Sequence, residues 1–156
     1  MKSPFRNGIL LALLILALDQ ATKWYILSEM RLGEREPMIV TGFFKLVMVW
    51  NRGISFGMLN SLPGGQLLLS ALAVAVVSLL IWWLREARNW LMVAGIGLII
   101  GGAVGNLIDR LRFGAVADFL YFHIADYYWP AFNVADAAIC IGAALIIIEN
   151  VTAKKT

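Results

Sequence analysis

The sequence predicts an all-α membrane protein, a bundle of four transmembrane helices with a small surface β-sheet on the outer side. Hydrophobic residues make up 61% of the 156 residues and charged residues 15%, whereas average soluble domains carry about 25% charged residues. Four apolar runs approach the ~20 residues that a helix needs to cross a ~30 Å hydrocarbon core. We therefore expect a single integral membrane domain over residues 1–156, without a separate soluble domain.

The charge pattern predicts an orientation and argues against nucleic-acid binding. The formal net charge is +3, and the basic residues lie mostly near the ends of the spans, which favours membrane orientation. Four spans place both termini on one side of the membrane. The short segments on that side contain Lys2, Arg6, Arg85, Arg88, Lys154 and Lys155. The positive-inside rule therefore predicts cytoplasmic termini.

The first span is predicted at residues 8–27, where an acid and a base interrupt the apolar run. Asp19 and Lys23 are four residues apart with the acid N-terminal, the better orientation for a helical ion pair. One interpretation is that the pair only neutralises itself and that Lys23 extends toward the interface. The other is that it marks a function, as ionisable groups inside membranes do by default.

Residues 28–66 are predicted to form an outer loop that contains the sheet. Strand-favouring residues at 38–40 and 43–50 indicate two strands. The turn signal Asn51-Arg52-Gly53 could return the chain as a third strand at 54–56. The many apolar and aromatic side chains should hold this sheet at the membrane surface.

The second and third spans are predicted at 67–84 and 90–112. Gly97, Gly101 and Gly105 recur every four residues in the third span. Such a face of small residues lets the backbone of another helix approach closely, so we expect a packing role for these glycines. The polar residues at the end of the third span are Asn106, Asp109 and Arg110.

Residues 113–129 are predicted to form a second outer loop, which contains Asp118. Its aromatic residues are typical of the membrane interface. The fourth span, 130–151, should start at Pro130, where a proline costs no hydrogen bond. Asp136 then lies about 9 Å along the helix axis from that end.

The ionisable residues converge at one depth in this topology. The outer ends of three spans meet there, and Asp118 could face Asp136 across a notch that opens to the outer leaflet. Two carboxyls a few ångströms apart cannot both ionise readily, so they share one proton. The charged member can accept a proton from water, while the protonated member polarises a scissile carbonyl and later protonates the amine. The pattern predicts aspartyl protease chemistry.

Other hydrolytic chemistries lack their residues. The chain contains no HExxH zinc motif and no G-x-S-x-G nucleophile elbow. His123 is predicted in the outer loop, while Cys140 lies about 6 Å deeper than Asp136 along the fourth span. A cysteine–histidine pair is therefore not expected.

Two other functional classes stay open on the residues alone. Intramembrane carboxyls also mark proton-coupled transporters. Transporters, however, tend to bind substrate at the midplane between repeated halves, and this chain has no internal repeat. The second alternative is a scaffold or assembly subunit, which would not need two aligned carboxyls.

Five motifs follow one another along the chain. They are Asp19-Gln20-Ala21-Thr22-Lys23 (D-Q-x-T-K), residues 51–57 (N-x-G-x-[AS]-F), 101–110 (GGAVGNLIDR), 116–119 (V-x-D-[FW]) and 132–136 (F-N-x-A-D). In this order they resemble the lipoprotein signal peptidase family, the signal peptidase II aspartyl proteases of bacterial membranes. The resemblance covers nearly the whole chain. Ile54 is bulkier than the alanine associated with that position, a difference that concerns the substrate groove.

The resemblance implies an aspartic endopeptidase of the bacterial cytoplasmic (inner) membrane, with Asp118 and Asp136 as the catalytic dyad. Such enzymes have four spans, cytoplasmic termini, a surface β-cradle and an active site near the outer leaflet. They remove the signal peptide of a prolipoprotein by cleaving before a cysteine that carries diacylglycerol, and they use no metal or cofactor. The expected partners are prolipoproteins, membrane lipid and globomycin-type inhibitors. We expect no nucleic acid, and a monomer.

The motif match also implies a set of substrate-binding or supporting residues. These are Asp19, Lys23, Asn51, Asn106, Asp109, Arg110 and Asn133. Asn133 and Asn106 could orient the dyad by side-chain hydrogen bonds, or Asn106 could bind the substrate backbone. Arg110 could donate to a buried carboxylate or a substrate carbonyl. Asp19 and Asp109 are expected to hold the helix ends rather than to touch substrate.

Overall fold

The computed structural model describes residues 4–53, 65–125 and 127–153. Within them, four helices are long and apolar enough to cross a membrane. They are α1 (Pro4–Trp24), α2 (Gly65–Glu86), α3 (Trp90–Phe113) and α4 (Val134–Ala153). The strands are β1 (Met38–Ile39), β2 (Phe44–Asn51), β3 (Val116–Ile124) and β4 (Tyr127–Tyr128). These elements confirm the predicted fold class, a four-span bundle with a small sheet.

α3 packs closely against both α1 and α4 because glycines line two of its faces. A Cβ atom added at Gly97 would lie 2.7 Å from the carbonyl oxygen of Gly8 in α1. On the other face, a Cβ atom at Gly102 would overlap the carbonyl oxygen of Ala135 in α4. The predicted packing role is therefore confirmed for Gly97 and Gly101, which both face carbonyl oxygens of α1, whereas Gly102 was not part of the prediction. These contacts bring three helices together.

The outward faces of the helices are apolar, as contact with lipid requires. Leu14 of α1, Leu68 of α2 and Ile148 of α4 are 55%, 60% and 50% exposed. Leu84 and Ile96 are fully buried in the cluster that holds α1, α2 and α3 together. Exposed apolar surface of this kind suits a bilayer, whose tails are as apolar as leucine.

The chain leaves the first span through irregular turns. α1 ends at Trp24 and continues as a π-helical turn over Tyr25–Glu29. Arg31 then takes a left-handed conformation with φ 47°, and a 3₁₀ turn follows at Leu32–Glu34. The third strand predicted at 54–56, which includes Ile54, lies outside the described residues, as do Lys2, Lys154 and Lys155.

The sheet is antiparallel with the strand order β1-β2-β3-β4. Phe44 pairs with Phe122 and Asn51 with Val116, so β2 and β3 run alongside each other for most of their length. The sequence interpretation had the sheet within residues 28–66 and a loop at 113–129. That interpretation is wrong for 116–124, which form an inner strand, because the aromatic residues of this segment favour strands as well as interfaces.

α4 begins at Val134 and not at Pro130, so the predicted start of the fourth span is wrong. The preceding backbone is occupied by the sheet: Phe132 N–H donates to Leu120 O at 3.0 Å, and Leu120 N–H donates to Phe132 O at 2.8 Å. This pairing holds the backbone of Phe132 in the sheet, so α4 can begin only after it. Asp136 consequently lies in the first turn of α4.

Candidate active site

Asp136 forms a reciprocal cap with Asn133 at the start of α4. The backbone N–H of Asp136 donates to Asn133 Oδ1 at 3.0 Å, and the backbone N–H of Asn133 donates to Asp136 Oδ2 at 3.3 Å. This is the arrangement of a capping box, with aspartate in place of the usual glutamate or glutamine. The cap therefore both starts the helix and fixes the carboxyl group.

Asp118 comes from β3 and is only 2% exposed. Asn133 Nδ2 donates to its Oδ1 at 2.7 Å, and Asn51 Nδ2 donates to its Oδ2 at 3.1 Å. Asn51 reaches Asp118 because β2 and β3 are hydrogen-bonded neighbours, with Val49 opposite Asp118. The sheet thus holds one carboxyl group, and the start of α4 holds the other.

Burial and the neighbouring Asp136 carboxylate shift the pKa of Asp118. Burial, followed by the charge of the Asp136 carboxylate, raises the pKa of Asp118 from 3.8 to about 7. Hydrogen bonds from Asn51 and Asn133 and the positive charge of Lys23 oppose this rise. A buried carboxyl with such a pKa can hold a proton near neutral pH, which is the condition for acid–base catalysis by two aspartates.

Asn106 of α3 presents its amide group to Asp136. Its Nδ2 donates to Asp136 Oδ1 at 2.7 Å. Its Oδ1 accepts from Lys23 Nζ at 3.1 Å and from Asn133 Nδ2 at 3.2 Å. Asn106 therefore lies between Asp136 and the charged groups behind it.

Those charged groups form a buried cluster of Asp19, Lys23 and Asp109. Lys23 Nζ lies 2.9 Å from Asp19 Oδ2 and 2.8 Å from Asp109 Oδ2, and the three side chains are at most 3% exposed. The interpretation that Lys23 extends toward the interface is therefore wrong, because its three N–H groups find buried acceptors. Gly105 makes room for the cluster, since a Cβ atom there would overlap the Asp19 carboxylate.

The acids of the cluster also bind backbone next to the dyad. The N–H of Ala135 donates to Asp19 Oδ1 at 3.0 Å, and the N–H of Ala117 donates to Asp109 Oδ2 at 3.2 Å. Each of these alanines immediately precedes one of the two aspartates, Asp136 and Asp118. This geometry agrees with the expectation that Asp19 and Asp109 hold the fold.

Gln20 belongs to the same cluster and is not among the site residues predicted from the sequence. Its Nε2 lies 3.2 Å from Asp19 Oδ2, 3.1 Å from Asp109 Oδ1 and 3.2 Å from the carbonyl oxygen of Gly105. The signal that could have identified it is an amide side chain beside an acid within an apolar run.

Arg110 lies next to this network without an ion pair to a carboxylate among the described residues. Its Nη1 is 3.5 Å from the carbonyl oxygen of Asn106, and its buried Nε has no hydrogen-bond partner within that part of the chain. Of the two acceptors expected for Arg110, a buried carboxylate is thus not observed. The Nε–H of Arg110 is therefore available to donate a hydrogen bond to a bound molecule.

His123 and Cys140 do not join the site. His123 lies on β3 and stacks on Tyr128 with ring centroids 5.7 Å apart, beside an aromatic cavity of about 580 Å³. Cys140 is exposed on α4. Over the described ranges, no group of three or more His, Cys, Asp or Glu side chains is arranged to hold a metal ion.

The structure brings the predicted site residues into one place. Eight of them share a continuous hydrogen-bond and ion-pair network, and Arg110 adjoins it. The eight are Asp19, Lys23, Asn51, Asn106, Asp109, Asp118, Asn133 and Asp136. The catalytic and supporting roles of these residues stay predictions.

Comparisons with known proteins agree on one family. A protein-family model described as "Signal peptidase (SPase) II" matches residues 11–152. A lipoprotein signal peptidase of Rhodopseudomonas palustris is 47% identical over 154 residues, which are 95% of this chain and 93% of the relative. A lipoprotein signal peptidase of Ralstonia nicotianae is 46% identical over 142 residues, 90% of this chain and 81% of the relative.

Solved structures give the same result for the fold. The structure of a bacterial membrane enzyme, determined by the in meso method at 2.3 Å resolution, matches with a TM-score of 0.82 and 31% sequence identity. The match covers 94% of this chain and 88% of the chain of that enzyme. A second, at 1.9 Å resolution, has a TM-score of 0.79 and 32% identity, covering 91% and 90%. The similarity thus extends over all four helices.

Proposed function

The chain belongs to the signal peptidase II family, and on this premise we propose that it is an aspartyl endopeptidase that removes signal peptides from prolipoproteins. Membership makes it a multi-pass membrane protease and leaves the transporter and scaffold alternatives without support. The observation that supports the aspartyl mechanism is that one residue, Asn133, hydrogen-bonds both Asp118 and Asp136.

In the proposed reaction, Asp118 starts with the proton of the pair, because burial and the Asp136 carboxylate raise its pKa to about 7. The Asp136 carboxylate takes a proton from a water molecule as the water oxygen bonds to the scissile carbonyl carbon. Asp118 polarises the carbonyl oxygen and then gives its proton to the amine as the C–N bond breaks. One proton stays on the pair and returns to Asp118 before the next cycle.

The amide residues and Arg110 have separate parts in this reaction. Asn51, Asn106 and Asn133 hold the carboxyl groups in place, so that little reorganisation is needed in the transition state. Arg110 donates an N–H to a carbonyl of the bound peptide, a role supported by its buried Nε, which has no hydrogen-bond partner among the residues that the structure describes. Asp19 and Asp109 act on the backbone next to the dyad, without touching the substrate.

The proposed substrate is a prolipoprotein whose cysteine carries diacylglycerol, with cleavage immediately before that cysteine. The apolar outer faces of the helices support this choice, because a diacylglyceryl group can lie in the lipid while the peptide crosses the dyad. Lipid binding then positions the scissile bond. The site is near the outer leaflet of the bacterial inner membrane, the termini are cytoplasmic, and globomycin-type cyclic peptides compete with the substrate.

The test is cleavage of a diacylglyceryl-modified precursor peptide by purified protein in detergent micelles. We expect the wild type to cut directly before the modified cysteine, as read by mass spectrometry. Asp118→Asn and Asp136→Asn should each remain folded and lower turnover by at least about 10³-fold, because each removes an acid or a base that the reaction needs.

The matched control is Glu149→Gln, which removes a carboxylate from the far end of the helix that carries Asp136. This variant should cleave at the wild-type rate. Near wild-type turnover by either aspartate variant would refute the dyad.

A further inference from the structure

Lys23 is connected to the proposed dyad through one side chain. Two of its N–H groups bind the carboxylates of Asp19 and Asp109, and the third donates to Asn106 Oδ1 at 3.1 Å. Asn106 Nδ2 in turn donates to Asp136 Oδ1 at 2.7 Å. We propose that Lys23 is a positioning residue for the reaction, which sets the amide orientation of Asn106 and through it the placement of the Asp136 carboxyl.

The orientation of an asparagine amide matters because its two ends have nearly the same shape and opposite hydrogen-bonding capacity. In the observed orientation, Asn106 Oδ1 faces two donors, Lys23 Nζ and Asn133 Nδ2, while Nδ2 faces an acceptor on Asp136. Rotation of the amide by half a turn would set donor against donor twice and oxygen against oxygen once. Of the two donors that prevent it, only Lys23 carries a charge, and charge-assisted hydrogen bonds are roughly twice as strong as neutral ones.

The cluster around Lys23 is built to keep this third bond in place. Both carboxylates hold the ammonium from the side of α1 and α3, and Gln20 ties the same two carboxylates together. Neutralising a buried lysine needs one acid; the second fixes the direction of the remaining N–H. Lys23 forms no ion pair with Asp118 or Asp136, both of which the structure describes. Asn106 is therefore the side chain that passes a hydrogen bond from Lys23 to the carboxyl group of Asp136. The two acids paired with Lys23 also hold the backbone ahead of Asp136 and Asp118, so the test must separate the two effects.

This inference rests on the proposed function and is tested by a double-mutant cycle on cleavage of the same lipid-modified peptide. Lys23→Met keeps the length of the side chain and removes its donors, and Asn106→Ala removes the link. We expect Lys23→Met to lower kcat about 10- to 100-fold, the range that follows from misplacing a reacting group, with KM within about twofold. In the Asn106→Ala background, Lys23→Met should lower kcat by clearly less than it does in the wild type, because the part of its effect that passes through Asn106 is already lost.

Leu84→Ala is the control for lost stability. It opens a cavity in the apolar cluster between α1, α2 and α3 but leaves the bond between Lys23 and Asn106. It should lower the unfolding temperature while kcat stays within about twofold of the wild type. A purely structural role of Lys23 would make both variants behave alike.

Charge balance provides a second route if Lys23→Met does not fold. Asp19→Asn combined with Lys23→Met removes one acid and the base together, and its kcat is compared with that of Asp19→Asn alone. The expected result is again a loss of about 10-fold or more. Two results would overturn the role of Lys23: a kcat within twofold of the reference protein in a folded Lys23→Met variant, or losses that multiply in the double-mutant cycle. If Asp118→Asn and Asp136→Asn are inactive in the same assay, the proposed function is unaffected by either result. A folded wild type that cleaves no lipid-modified precursor would overturn this role together with the proposed function.

Discussion

Asn133 combines three contacts in one side chain. It caps α4, donates to Asp118 and donates to Asn106. Because the same residue starts the helix and joins the two carboxyl groups, the dyad geometry depends on how α4 begins.

Asn133→Ala should therefore lower both stability and turnover. Loss of an N-cap costs about 0.5–2 kcal/mol, and loss of the bond to Asp118 should reduce kcat about 10-fold or more. Thermal unfolding and peptide cleavage measure the two effects.

Asn89→Ala is the control, because Asn89 caps α3 by accepting from Leu91 N–H at 2.8 Å, on a helix end away from the dyad. It should lose similar stability and keep its turnover. Equal losses of turnover in both variants would contradict a specific role of Asn133.

The pKa of Asp118 predicts the pH dependence of cleavage. Because the pKa of Asp118 is raised to about 7, a higher pH should remove the proton of the proposed general acid. The value of kcat/KM should then fall about tenfold per pH unit well above about pH 7. A pH–rate profile between pH 5 and 9 with the folded enzyme measures this limb. A profile that stays flat up to pH 9 would show that the proton of Asp118 is not needed.

At the scale of residues, the motifs identified the polar network but not its connections. Gln20 and Asp109 are 89 positions apart in the chain and touch in the fold, a contact that no local pattern reports. For the same reason the burial of Lys23 was not predicted, because its second acid lies on another helix.

At the scale of elements, the contact between α3 and α4 positions the dyad. Gly102 lies against the carbonyl oxygen of Ala135, in the first turn of α4 that also carries Asp136. An added methyl group must push this turn away from α3.

Gly102→Ala should therefore cost about 1–3 kcal/mol of stability through overpacking and should reduce turnover as well. Thermal unfolding and cleavage rates test both effects. Gly42→Ala is the control, since a Cβ atom at Gly42 meets nothing within 4 Å. Unchanged turnover in a folded Gly102→Ala variant would indicate that α4 can shift without disturbing the dyad.

The helices were more predictable than the sheet. Long apolar runs identify spans directly, whereas β2 and β3 pair with each other although α2 and α3 separate them in the sequence. The start of α4 was missed because Pro130 suits the first turn of a helix, while its neighbour Phe132 is held by β3. Strand pairing between segments that are distant in the sequence explains both the unpredicted strand at 116–124 and the later start of α4.

At the scale of the whole molecule, the proposed orientation places the sheet outside the cell membrane and the turn between α2 and α3 in the cytoplasm. Thr41 and Glu86 are exposed markers of these two sides. In a Cys140→Ala background, Thr41→Cys should react with a membrane-impermeant maleimide in intact spheroplasts, and Glu86→Cys only after permeabilisation. Retained cleavage by each variant is the control for folding, and the reverse labelling pattern would exclude cytoplasmic termini.

Two backbone contacts link the proposed dyad to the assembly of the newly made chain. Asp19 of α1 holds the residue just ahead of Asp136, while Asp109 of α3 holds the residue just ahead of Asp118 and pairs with Lys23 of α1. On the proposed function, we expect a nascent polypeptide whose first helix has not yet docked to carry both acids without an active pair. Such a chain would not hydrolyse neighbouring membrane proteins before its own assembly is finished.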